Sequence, residues 1–92
     1  MNITDVRVRR LFNGEDHSLK AVVSITLDGA FAIHGLRVIQ GKEKLFVAMP
    51  SRKDGNGNFR DIAHPIVSET RVAIEDAVIA QYQAALAEQQ AD

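Results

Sequence analysis

The sequence changes character once, at His64-Pro65, and this break constrains the fold more than any other feature. Before it, apolar residues recur at every second position in runs separated by glycine- and aspartate-bearing turns, the signature of strands with one buried face. After it, from Ser68 to Gln90, there is no glycine or proline, and the stretch reads as one long helix. Proline biases His64 away from the helical region, which makes the boundary sharp. Strands followed by a helix define an α+β fold: an antiparallel β-meander of four to five strands with one long C-terminal helix on one sheet face.

In chain order, Ile3 to Phe12 alternates Thr4, Val6 and Val8 against Asp5, Arg7 and Arg9, with Arg10 just beyond. Asn13 to His17 is a loose turn. Leu19 to Leu27 is the clearest amphipathic strand, with Leu19, Ala21, Val23, Ile25 and Leu27 on one face and Lys20, Val22, Ser24 and Thr26 on the other. Asp28-Gly29 suits a tight or short bulged hairpin turn. Ala30 to Gln40 places Phe31, Ile33, Arg37 and Ile39 on one side and Ala32, His34, Leu36 and Val38 on the other, with Gly35 as a bulge or kink. Being apolar on both sides, this strand is expected to be central or to lie under the helix.

Gly41 to Lys44 then turns the chain into Leu45 to Met49, which ends at Pro50 because proline has no N–H for a strand ladder. Arg52 and Lys53 follow in a loop. Asp54-Gly55-Asn56-Gly57-Asn58 tolerates positive φ at little cost, so the chain reverses there, and Phe59 to Ala63 is a short fifth strand. The expected result is a cation-bearing hairpin tip between two buried strands.

In the helix, Ser68 is the expected N-cap, and Glu69 lies in the first turn, where the helix dipole favours an acid. Ile74, Ala77, Val78 and Ala85 fall on one side, while Val72, Ile79 and Leu86 drift to another, more than one sheet face is expected to cover. In a small chain the simplest second surface is another copy, so a homodimer is expected, with the helix packed across the two-fold axis or exchanged between protomers. The ordinary alternative is that Val72 and Leu86 are scattered surface apolar residues. Residues 1–87 form the expected single domain, and Glu88 to Asp92 a frayed tail.

Composition narrows the function classes. The chain has 92 residues, no cysteine and a net charge of −1. Without cysteine there is neither a disulfide framework nor a thiolate zinc site. No apolar run is long enough to span a bilayer and the first residues lack a signal peptide's apolar core, so a cytoplasmic protein with no membrane partner is expected. The small net charge hides an asymmetry. Residues 1–60 carry ten Lys and Arg against six acids, and residues 61–92 carry one Arg against six acids. One face could therefore present positive charge to a polyanion, or the two halves could simply attract each other on folding.

Catalytic and metal chemistry have little to work with. His17 lies in a turn, His34 sits among apolar neighbours as a hydrogen-bonded core histidine, and His64 follows Asp61 by three residues, a spacing that lets a carboxylate orient an imidazole. No cysteine, and no serine in a nucleophile-elbow context, offers such a base a nucleophile, so no enzyme is expected. No H-x-x-x-H pair or phosphate-cradling glycine motif occurs, and no metal or cofactor is expected. Arg52 and Lys53 beside the turn, with Arg7, Arg9 and Arg10 on a strand face, are the better lead. Such side chains contact phosphates, although surface cations are also commonly just solvated.

Several long words carry a more specific signal. Ile3-Thr-Asp-Val-Arg-Val-Arg-Arg10, Ala21-Val-Val-Ser-Ile-Thr-Leu-Asp28, Leu45-Phe-Val-Ala-Met-Pro-Ser-Arg-Lys53 and Phe59-Arg-Asp-Ile-Ala-His-Pro-Ile66 fall in the order and spacing of the stage V sporulation protein G (SpoVG) family, also called septation proteins. The chain resembles that family up to about Tyr82. The resemblance implies a small dimeric bacterial cytoplasmic protein linked to septation and sporulation, whose members act as DNA- and RNA-binding regulators. It implies nucleic-acid contact by Arg52 and Lys53, and Arg71 also matches a common family arginine. The helix after Arg71 lacks the further basic residue of some relatives. The nucleic-acid-binding set expected on all these grounds is Arg52 and Lys53, supported by Arg7, Arg9, Arg10, Arg60 and Arg71. The alternative is a protein-interaction module of cell division that works through septal or regulatory proteins.

Overall fold

The structure, a computed structural model, describes residues 2–12 and 18–90, Gln90 through its backbone alone. The turn expected at Asn13 to His17, including His17, and the last two residues of the expected tail lie outside the described residues. Four strands, β1 (Ile3–Leu11), β2 (Leu19–Leu27), β3 (Phe31–Gln40) and β4 (Leu45–Ala48), form an antiparallel sheet in the order β1-β2-β3-β4. A separate two-stranded ladder joins β5 (Ser51–Lys53) to β6 (Phe59–Asp61), and α1 (Ser68–Gln90) closes the chain. The α+β meander with one C-terminal helix is thus present. The fifth strand expected from Phe59 leaves the meander to pair with a strand not foreseen, so Arg52 and Lys53 lie on a strand and not in a loop. Nor is the hairpin set between two buried strands, since all of β6 is exposed.

The core lies between one face of the sheet and α1. Ala21, Val23, Ile25 and Leu27 of β2, Leu36 and Val38 of β3, and Val47 and Met49 at β4 meet Ile74, Val78 and Tyr82, three helix residues four apart and hence on one stripe. Ile79 and Leu86 also pack against this core, so the sheet covers both directions into which the helix's apolar residues drift. Val72 alone of that second group is left out, 53% exposed. The N-cap also differs from expectation. The Arg71 N–H donates to the Val67 carbonyl at 3.2 Å, which puts Val67 at the cap and makes Ser68 the first helical residue.

Bulges decide which side chains reach the core. In β3, Gly35 has φ +86° and the register with β2 slips between Val23 and Ile25. The extra residue reverses the phase of the strand. Ile33 therefore shares the core face with Leu36 and Val38, while Arg37 and His34 share the other, in place of the simple alternation expected. His34 is exposed rather than in the core. A second slip, between Leu19 and Ala21, sets Leu19 opposite Ile39 and takes it out of the buried series of β2. At the β2–β3 turn, Asp28 and Gly29 have φ +52° and +64°, the positive pair of a type I′ turn.

Candidate nucleic-acid interface

The hairpin that carries Arg52 and Lys53 is built by its own short-range chemistry. The Asp54 N–H donates to the Asn58 carbonyl at 2.8 Å, the Gly57 N–H donates to the Asp54 carbonyl at 3.1 Å, and Gly57 has φ +85°. This is a three-residue loop ending in a left-handed glycine. The Asp54 Oδ1 accepts from the Asn56 and Asn58 N–H groups at 2.8 and 3.0 Å, while its Oδ2 is 2.8 Å from Arg60 Nε. The Arg60 guanidinium first, then the N–H groups of Asn58 and Asn56, hold the Asp54 carboxyl below its ordinary value.

Pairing across the ladder sorts the hairpin cations by face. Arg52 stands opposite Arg60, and Lys53 opposite Phe59, with Lys53 Nζ 6.0 Å from the centroid of the Phe59 ring. Directly opposed residues share a face, so Arg52 and Arg60 lie on one side and Lys53 on the other. The ion pair with Asp54 relieves the like-charge contact between the two arginines. Among the described residues no side chain pairs with Arg52.

The hairpin is tied to the main sheet by an arginine that sequence reasoning did not select. Arg37, half-buried on β3, donates through Nη2 to the Met49 carbonyl at 3.2 Å and to Ser51 Oγ at 3.3 Å. The Ile62 N–H donates to the Pro50 carbonyl at 2.7 Å, closing the hairpin's base. The placement of Arg37 in an apolar strand was the available signal, because a guanidinium there must find acceptors close by.

The remaining cations lie elsewhere. Arg7, Arg9 and Arg10 lie on the sheet face away from the helix. Arg7 Nε is 2.8 Å from Asp5 Oδ2, Arg9 Nε donates to Ser24 Oγ at 3.3 Å, and the Arg10 guanidinium lies 5.0 Å from the Phe12 ring centroid. Ser24 Oγ is also 2.8 Å from His34 Nδ1. Arg71 is on α1, which covers the opposite face of the sheet. The structure thus gathers Arg52, Lys53 and Arg60 on one hairpin and Arg7, Arg9 and Arg10 on one sheet face, and leaves Arg71 with the helix.

This arrangement gives the charge asymmetry of the sequence a direction. The arginines of β1 and Arg37 share the uncovered sheet face. Glu69, Asp76 and Glu88 are exposed on the helix that covers the other. Asp61 and His64 do not form the pair their spacing allows. His64 Nδ1 is 3.1 Å from the Pro65 carbonyl, and among the described residues no hydrogen bond joins it to Asp61. Among the described residues no group of three His, Cys, Asp or Glu side chains could hold a metal ion.

Fold and site together define a class: a four-stranded meander backed by one acidic helix, with a cationic β-ribbon projecting beyond its fourth strand. The chain belongs to the SpoVG family, whose sequence profile matches residues 1–84. A relative from Clostridioides difficile (strain 630), named "Putative septation protein SpoVG", is 57% identical over 86 residues, spanning 94% of this chain and 91% of the relative. One from Listeria monocytogenes serotype 4b (strain F2365), named "Putative septation protein SpoVG 1", is 58% identical over 85 residues, spanning 92% of this chain and 81% of its own length.

Proposed function

We propose that this SpoVG-family chain is a cytoplasmic nucleic-acid-binding regulator that acts as a homodimer in septation- or sporulation-type control. The observation that carries this reading is the β5–β6 ribbon. Arg52 has no side-chain partner among the described residues, and Lys53 has only the ring of Phe59, so both guanidinium and ammonium are available to phosphate. Arg60, engaged by Asp54, and Arg7, engaged by Asp5, are weaker contributors. Arg9, Arg10 and Arg71 stand as further supports. Dimerisation would double the number of ribbons along one polyanion and so strengthen binding without new contacts. Support for a dimer comes from Phe59, Ile62, Ile66, Val67 and Val72, large apolar residues that are all more than half exposed.

The test is fluorescence anisotropy of labelled DNA duplex and RNA across a salt series, with wild type and Arg52→Ala/Lys53→Ala. Each lost phosphate contact on duplex DNA lowers the magnitude of the slope of log affinity against log salt by about 0.9, so the double variant is expected to lose about 1.8 for each ribbon engaged, about 3.6 for a dimer with both ribbons on one duplex. An unchanged affinity and slope would remove the ribbon as the site. A second reading, a protein-interaction module with septal or regulatory partners, is favoured by the acidic outer surface of α1. Pull-down of such partners that survives nuclease treatment supports it.

A further inference from the structure

The sheet face that α1 leaves bare is a second surface with its own composition. The register places Arg10, Val22, Arg37 and Ala48 side by side across all four strands. Two strand spacings separate Arg10 from Arg37, about 10 Å, with only Val22 between them. The next row toward the β3–β4 turn is apolar: Leu19 opposite Ile39, and Ile39 opposite Phe46. Phe46 is 39% exposed, and neither it, Ile39 nor Leu19 belongs to the core. On the other side of the cationic row, Arg9, Ser24 and His34 form their hydrogen-bonded chain, with His34 exposed.

We infer that this open face seats single-stranded nucleic acid, with a base stacked on Phe46 and the backbone running over Arg10 and Arg37. The inference rests on the polyanion-binding reading above and adds to it a second site and a strand preference. A duplex keeps the faces of its bases stacked inside, so the apolar row has nothing to meet there, whereas a single strand offers a π-face at every base. Arg37 uses Nη2 to hold the hairpin, and the guanidinium has further N–H donors left for phosphate. A second copy is a poor occupant, because pairing two such faces sets arginines against arginines. Arg37 also couples the sites, since the side chain that meets the strand anchors the first residue of the ribbon.

The test uses the full chain with a labelled oligothymidylate and a labelled duplex. Phe46→Leu keeps apolar bulk and removes the π-face. It is expected to weaken oligothymidylate binding about tenfold and leave duplex binding unchanged. Arg9→Ala/Arg10→Ala tests the same face without touching the aromatic ring, and is expected to weaken single-strand binding as well. If both variants bind oligothymidylate as wild type does while Arg52→Ala/Lys53→Ala fails, the open face is not a site and the ribbon reading stands. If wild type binds neither probe at low salt, both readings fall. A shift of self-association in Phe46→Leu, seen by sedimentation, would make the face a contact between copies and overturn the inference.

Discussion

Arg52 and Arg60 face each other directly across the β5–β6 ladder, and among the described residues only Arg60 is neutralised, by a 2.8 Å contact from its Nε to Asp54 Oδ2. The turn residue therefore does two jobs. It organises the loop through its Oδ1 and quenches one of two opposed cations through its Oδ2, leaving Arg52 as the uncompensated charge of that face.

The same carboxylate makes the hairpin sensitive to acid. Asp54 is held below the ordinary aspartate value of 3.8, first by Arg60 and then by the Asn58 and Asn56 N–H groups. A depressed folded-state value means that its contribution is present above about 3.8 and is lost as pH falls through the lowered value. The amide resonances of Asn56 and Asn58, followed by NMR during acid titration, are expected to report a midpoint below 3.8. A midpoint at or above it would show that the Asp54 contacts do not persist in solution.

Gly35 is the position where the backbone of β3 tolerates no other residue cheaply. Its φ is +86°, and a Cβ there would lie 3.5 Å from that of Pro50, in ordinary contact, so the cost is conformational rather than steric. Gly35→Ala is expected to destabilise by about 1–2 kcal/mol. In a domain of this size each kcal/mol lowers Tm by roughly 4–8 °C. A thermal melt followed by circular dichroism measures this, and an unchanged Tm would mean that the bulge is not held in solution.

Burial separates the stabilising apolar residues from the interacting ones. Leu36 is fully buried, and Leu36→Ala is expected to cost about 2–5 kcal/mol, a large share of the roughly 5–15 kcal/mol typical of a native domain. Urea denaturation would show it as a lower midpoint at similar slope. A loss below 1 kcal/mol would contradict the central place of Leu36 in the core.

Ile66 is the opposite case, 89% exposed. Ile66→Asp is expected to leave the fold of each protomer intact and to shift a dimer toward monomer in sedimentation velocity, because a charge in an apolar interface cannot be solvated. If the variant remains as dimeric as wild type, the surface around Ile66 is not the interface.

Much of the architecture was legible in the residue pattern. The alternation in Leu19 to Leu27, the unbroken run from Ser68 to Gln90 and the break at His64-Pro65 each announce their element within a few residues. The hairpin tip was legible too, since Asp54 to Asn58 consists of turn-forming residues. What was missed had short or displaced signals. A strand of three residues, Ser51 to Lys53, is too brief to show a period of two, and its existence depends on Phe59 to Asp61 returning alongside it. Gly35 could be read as a bulge, but its effect on every later side chain of β3 followed only from the register with β2. The ion pair that occupies Arg60 and the anchoring role of Arg37 join residues 6 and 12–14 positions apart and leave no periodic trace.

The sequence by itself determined the kind and order of the main elements and where the chain turns, because these depend on interactions within a few residues: alternation along a strand, turn propensities, and the exclusion of helix before proline. Tertiary structure alone decided which arginines share a face, that the acidic helix and the basic sheet face point apart, and that one cation of the ribbon is quenched while its neighbour is not. Those outcomes are set by register across strands, where one extra residue turns a side chain from the core to solvent, and register is a property of the assembled sheet rather than of any one segment.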